Sequence, residues 1–159
     1  MKTKKSSIER IVIGKANQKL VNFAKEVGID IDGFEHEISE DFKRHVLKQH
    51  GDERKESLHG QTAIKPEDFE KIPKIINSPD ITLIGAHDGK HDLIAYTKKM
   101  DDGTTFYIEE ILDSNRNKSL RSKTMHKHKV DIDKDKFYNI MHNNNITEYD
   151  MSRAKIFGL

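Results

Sequence analysis

The chain has 159 residues, enough to bury one core without staples, and its 34% hydrophobic and 35% charged residues predict a compact core under a heavily charged surface. With 28 Lys and Arg against 27 Asp and Glu, the net charge of +1 gives no sign of a nucleic-acid partner, which must be sought in local clusters. The absence of Cys excludes disulfides and thiolate metal sites.

No apolar run approaches the ~20 residues that span a bilayer. The basic start MKTKKSSIERIVIGK has no continuous apolar stretch, so no secretory signal is expected and the chain reads as cytoplasmic, without a membrane partner.

In chain order, residues 1–7 form a polar, basic tail. IERIVIGKA suits a short strand. From Asn17 to Val27, Leu20, Val21, Ala24 and Val27 fall at helical spacing, with Gly28 as the stop. IDIDGFEHEIS alternates and predicts a short strand ending at Ile38. Ser39 can cap the next helix, with Glu40 and Asp41 in its first turn, Phe42 and Val46 as its apolar stripe and Gly51 at its end. GDERKES reads as a polar linker. Pro66 opens a further helix with Phe69, Ile72 and Ile76 inward, which Pro73 kinks or limits to two turns. ITLIGA, DLIAYTK and TTFYIEEI are strand-like runs separated by Asp-Gly turns, an antiparallel meander; a fourth strand is expected near SLRSKTM. Residues 134–142 predict a last helix through Phe137, Ile140 and Met141, broken by the Asn run at 143–145. Helices before a meander argue for α+β, with the helices on one sheet face.

Three features can carry chemistry. His45 and His50 lie five positions apart, so a regular helix rotates them about 140° from each other, against the shared face of a helical zinc motif. His50, however, sits at a helix C-terminus, where the dipole favours its charged form. A neutral and a protonated His held together suit acid–base catalysis near neutral pH. The plainer reading is that a neighbour satisfies His45 and that His50 caps the helix. The loop LHGQTAIKPEDF sets His59, Gln61 and Thr62 before a helix N-terminus that can hold an anion, or is a simple linker and cap. Residues 115–129 carry Arg116, Lys118, Arg121, Lys123, Lys127 and Lys129 with no acid, which suits a phosphate backbone as well as a solvated loop. His126 and His128 with His87 or His91 form a weaker metal alternative, unsupported by carboxylate or Cys spacing.

The segments VIGKANQKL, HVLKQHGDERKES, HGQTAIKPEDFEKIPKIINSPD, IAYTKKMDDGTTFYIEEI and LRSKTM together resemble the phage-associated branch of the barnase, EndoU, colicin and RelE-like nucleases. That branch is found in phage head-morphogenesis proteins or near prophage genes. The resemblance runs from about residue 11 to 126 and is most specific in His-x-x-Lys-x-His-Gly. It implies N-terminal helices packed on a four-stranded antiparallel sheet, over residues 8–129, followed by an extension, 130–159, with a short helix. It implies a metal-independent or toxin-like endoribonuclease without cofactor, acting on RNA such as tRNA and opposed by an immunity or antitoxin protein. It points to His45 and His50 as acid and base in either order, with Lys123 and Thr124 holding the phosphoryl group. Lys48, Gln61, Asp68, Lys98 or Lys99, Tyr107 and Arg121 would touch substrate, and Glu109 is a further strand candidate. The competing readings are an inactive RNA- or protein-binding module on the same fold, and a metal-dependent phosphodiesterase that EDTA would inhibit.

Overall fold

A computed structural model describes residues 10–58, 60–142 and 149–158. The tail at 1–7, His59 and the Asn run at 143–145 lie outside the described residues.

The first strand, β1 (Arg10–Lys15), precedes helix α1 (Gln18–Glu26), where Asn17 accepts the Leu20 amide at 2.8 Å and Leu20, Val21 and Ala24 turn inward. Strand β2 (Glu35–Ser39) runs into α2 (Glu40–His50), with Ser39 as its N-cap. GDERKES is not a bare linker. Asp52 accepts the Arg54 and Lys55 amides and nucleates a short helix, α3 (Glu53–Ser57). After β3 (Gln61–Thr62), the segment opened by Pro66 divides into a 3₁₀ helix (Pro66–Lys71) and α4 (Ile72–Asn77). Pro73 lies in the first turn of α4, where its missing N–H has no helical partner to lose, so it starts a helix rather than kinking one.

The meander follows as β4 (Ile81–His87), β5 (Asp92–Met100) and β6 (Gly103–Asp113), and then β7 (Lys118–His128). Gly103 closes the β5–β6 hairpin at φ +127°, a conformation L side chains rarely adopt. Helix α5 (Lys134–His142) and strand β8 (Lys155–Gly158) complete the chain. Among the described residues no helix is long and apolar enough to cross a membrane.

The architecture is α+β, but its sheet is larger than the four antiparallel strands implied by the resemblance. Among the described residues its eight strands run β1-β2-β7-β6-β5-β4-β8, with β3 on β7. The sheet is mixed, because β2 pairs with β7 in parallel, Glu35–Glu37 against Ser119–Arg121. The four-strand reading fell short because β2 joins β7 and β8 joins β4 from far away in sequence, with β1 added on β2, which local patterning does not reveal.

Nor do helices cover one face only. On the first face, α1, α2 and α4 pack over Ile94, Tyr107, Leu120 and Met125. On the second, Phe137 and Met141 of α5, with Tyr149 and Met151, cover Leu83, Leu93, Phe106 and Ile108. The first layer also encloses a polar network. His36 Nδ1 of β2 lies 2.6 Å from Glu109 Oε2 of β6, both fully buried, and the Tyr96 hydroxyl donates to Glu109 Oε1 at 2.6 Å. The Tyr107 hydroxyl is 2.6 Å from Ser122 Oγ, which donates to the Glu37 carbonyl. Burial, and then the Glu109 charge, push both tyrosines well above their ordinary range, so they act as hydrogen-bond donors.

Candidate active site

Strand β7 organises the site. Its Leu120, Ser122, Met125 and Lys127 turn to the first face, while Arg121, Thr124, His126 and His128 turn to the second. Between these sets the ladder pairs Ile108 with Thr124 and Glu109 with Ser122, leaving Lys123 as the extra residue of a β-bulge. A row of polar side chains therefore lies along one strand, with a titratable cluster at each end.

At one end α2 delivers His50 to the edge of β7. Its backbone carbonyl accepts the Ile64 amide at 2.7 Å, which ties the helix end to the strand-like segment after β3. The His50 ring lies 5.4 Å from that of His126 and its Nδ1 is 2.9 Å from Glu56 Oε1. Glu56 is buried on α3, so the cap at Asp52 indirectly fixes the His50 ring. His126 stacks on Phe106 at 4.9 Å and shares a 3.0 Å contact with His128. Burial, reinforced by His128 and His50, holds His126 well below the ordinary imidazole range; burial, Lys136 and His50 bring His128 to about 4. Both rings are therefore neutral at pH 7, beside an imidazole backed by a carboxylate.

At the other end Lys123 Nζ lies 3.1 Å from Asp88 Oδ2 and 3.7 Å from Glu110 Oε2, and His91 Nδ1 is 3.3 Å from the same Glu110 oxygen. Burial would raise Asp88, but the amides of His91 and Lys90 and the Lys123 ammonium outweigh it and hold the carboxyl at about 2. Burial lowers Lys123, yet Asp88 and Glu110 bring it above its usual value.

The structure thus brings His50, Lys123, Thr124 and Arg121 to one row, and Gln61 to its rim, paired with His128 through β3. The others lie elsewhere. His45 and Lys48 are exposed on α2, and the five-position offset turns His45 away from His50. Asp68 is buried, accepting the Lys65 amide and ion-pairing Lys127 at 3.0 Å. Tyr107 and Glu109 are enclosed on the first face, so as folded they offer no surface to a substrate. Lys98 bonds Ser78 and faces Asp80, and Lys99 faces Asp131. Half of the cations in the basic run at 115–129 are neutralised: Lys118 pairs Asp113, Lys123 pairs Asp88, and buried Lys127 pairs Asp68 and Asp102. His126 and His128 share no cluster with His91, which instead meets Asp88 and Glu110.

Glu56 and His126 are the partners of His50 that the spacing of histidines alone did not reveal. The available signals were Asp52 as a cap ahead of ERKES, and His126 and His128 two apart on a strand.

Helices on both faces of a mixed sheet, with a row of titratable side chains along β7, make an α+β chain with one candidate site. The chain belongs to the phage-Barnase-EndoU-ColicinE5/D-RelE like nuclease3 family, whose profile matches residues 14–136. No curated protein and no solved structure matches it.

Proposed function

We propose that this chain is a metal-independent endoribonuclease working along the second face of β7. The supporting observation is the meeting of His50 with His126, each held by independent contacts. In this mechanism His126, neutral at pH 7, accepts the proton of the ribose 2′-hydroxyl. The freed oxygen attacks phosphorus, the bond to the 5′-oxygen breaks, and protonated His50 gives its proton to that leaving oxygen. The products are a 2′,3′-cyclic phosphate and a 5′-hydroxyl. RNA supplies its own nucleophile, so no protein nucleophile is needed. Glu56 orients the His50 ring and balances its charge in the protonated state. Lys123, Arg121 and the Thr124 hydroxyl hold the phosphoryl oxygens of the crowded anionic intermediate. Lys123 must exchange Asp88 for phosphate to do so.

RNA, tRNA among its forms, is the proposed substrate and the bacterial cytoplasm the proposed place of action. An immunity or antitoxin protein is the partner this activity calls for. The half-neutralised basic run favours one competing account, a module that binds RNA or protein without cutting. Incubation of bulk RNA with the chain in EDTA separates them. Cleavage leaving cyclic-phosphate ends, lost in His50→Ala and His126→Ala, supports the nuclease. A folded wild type that retains RNA on a filter and leaves it intact overturns it.

A further inference from the structure

The end of the β7 row away from His50 carries a second kind of site. Asp88 and His91 come from the four-residue loop between β4 and β5, whose ends are paired through His87 and Asp92. Glu110 projects beside them from β6. One ligand atom from each lies within 4.8 Å of the others. The Asp88 carboxylate is fixed: Oδ1 accepts the Lys90 and His91 amides at 2.9 and 2.8 Å, so Oδ2 is presented to the cluster.

One of these atoms is unsatisfied. His91 Nδ1 is buried and has no hydrogen-bond partner, although Glu110 Oε2 is only 3.3 Å away. The two atoms therefore face a common point more than they face each other. Ligands about 2.0–2.2 Å from a tetrahedral zinc ion are separated by roughly 3.3–3.6 Å, and His91 Nδ1 and Glu110 Oε2 stand 3.3 Å apart. The two carboxylates bring a charge of −2, of which Lys123 cancels one. Its ammonium already occupies the mouth of the cluster, nearer Asp88 than Glu110. Lys123 is about a third exposed and sits on a bulge, so its side chain has a route out to solvent.

We propose that Asp88, His91 and Glu110 form a zinc site in which the ion replaces the Lys123 ammonium, with water completing a tetrahedron. One imidazole with two carboxylates is a nitrogen–oxygen set suited to zinc, whereas magnesium demands near-octahedral oxygen coordination and keeps several of its waters. Occupancy would release Lys123 from its acids toward Thr124 and the phosphate track. That consequence rests on the nuclease reading; the site itself does not.

The test is calorimetric titration of the metal-free, folded chain with zinc chloride, and with magnesium chloride as control. One zinc ion per chain is expected, with magnesium giving no comparable binding. His91→Ala and Asp88→Asn should each weaken zinc at least tenfold, while Lys123→Met, which removes the competing cation, should tighten it. His126→Ala should leave the affinity unchanged, which separates this site from the histidines at the other end of the row. Loss of zinc binding in His126→Ala with retention in His91→Ala would overturn the assignment. So would the absence of zinc binding in both wild type and Lys123→Met. Because the readout is heat of zinc binding, a chain that binds zinc but cuts no RNA refutes the nuclease reading and leaves the site standing.

Discussion

Removing the Glu109 carboxylate tests the reading of the first-face network as structural support. Glu109→Leu keeps the apolar volume but leaves His36 Nδ1 and the Tyr96 hydroxyl buried without their 2.6 Å partner. Each orphaned buried group costs roughly 1–3 kcal/mol, so leaving both without a partner should cost about 4 kcal/mol. At a urea slope of about 2 kcal/mol/M the unfolding midpoint falls by about 2 M. Glu109→Gln, which keeps the shape and can still accept from Tyr96, should lose about half as much. Midpoints are read by circular dichroism in urea at pH 7, alongside RNA cleavage by the fraction that remains folded. Specific cleavage should not change, because Glu109 is enclosed on the face opposite His126. A Glu109→Leu midpoint within 0.3 M of wild type (roughly 0.6 kcal/mol at that slope) would refute the structural role. A fully folded Glu109→Gln with no cleavage would instead place Glu109 in the chemistry.

His50→Ala should lower cleavage at least a hundredfold, the usual scale of a lost acid or base, while exposed His45→Ala cuts like wild type; gel assays with matched folded protein decide it. Both His126 and His128 titrate lower in the folded chain than a free imidazole, so as pH falls the unfolded chain takes up protons first. Their contribution to stability is therefore fully present above about 6.5 and is lost as pH falls through the His128 value of about 4 and, for His126, beyond it; urea melts should show a lower midpoint at pH 5 than at pH 7. Asp52→Ala removes the α3 cap and should cost about 1 kcal/mol, with a further loss of cleavage as Glu56 loosens from His50. Gly103→Ala forces a side chain into a positive-φ position against the His128 carbonyl and should lower the melting temperature by several degrees or prevent folding.

Local patterning made the elements legible wherever the physics is local. The Ser39 cap, the apolar pair Phe42 and Val46, the Asp-Gly turns and the span of α5 all rest on neighbours within a few residues. What patterning missed is pairing at long range. Nothing within EHEIS indicates that Glu37 will lie beside Arg121, and nothing around His36 indicates Glu109. The same divide runs through the site. His50, Lys123, Thr124 and Arg121 were singled out from composition and resemblance, but a cluster of cations reads as a phosphate surface only until its acids are known. Asp88, Asp102 and Asp68 come from other elements and neutralise Lys123 and Lys127. The resemblance makes Tyr107 a substrate contact, but α2 closes over it through Phe42.

The parallel join of β2 to β7 has a consequence for how the molecule comes into being. Ser122 reaches the Glu37 carbonyl across 85 positions, and the contact of His50 with His126 is similarly remote. Closing such a span is slow compared with forming a helix or a hairpin. During synthesis the segment bearing His50 and Glu56 emerges well before β7, and domains acquire their packing only once their distant strands are available. A nascent chain halted before His126 would hold one half of the proposed acid–base pair and, on that reading, be chemically silent. Competence would arrive as a single late event, when the seventh strand slides between the second and the sixth.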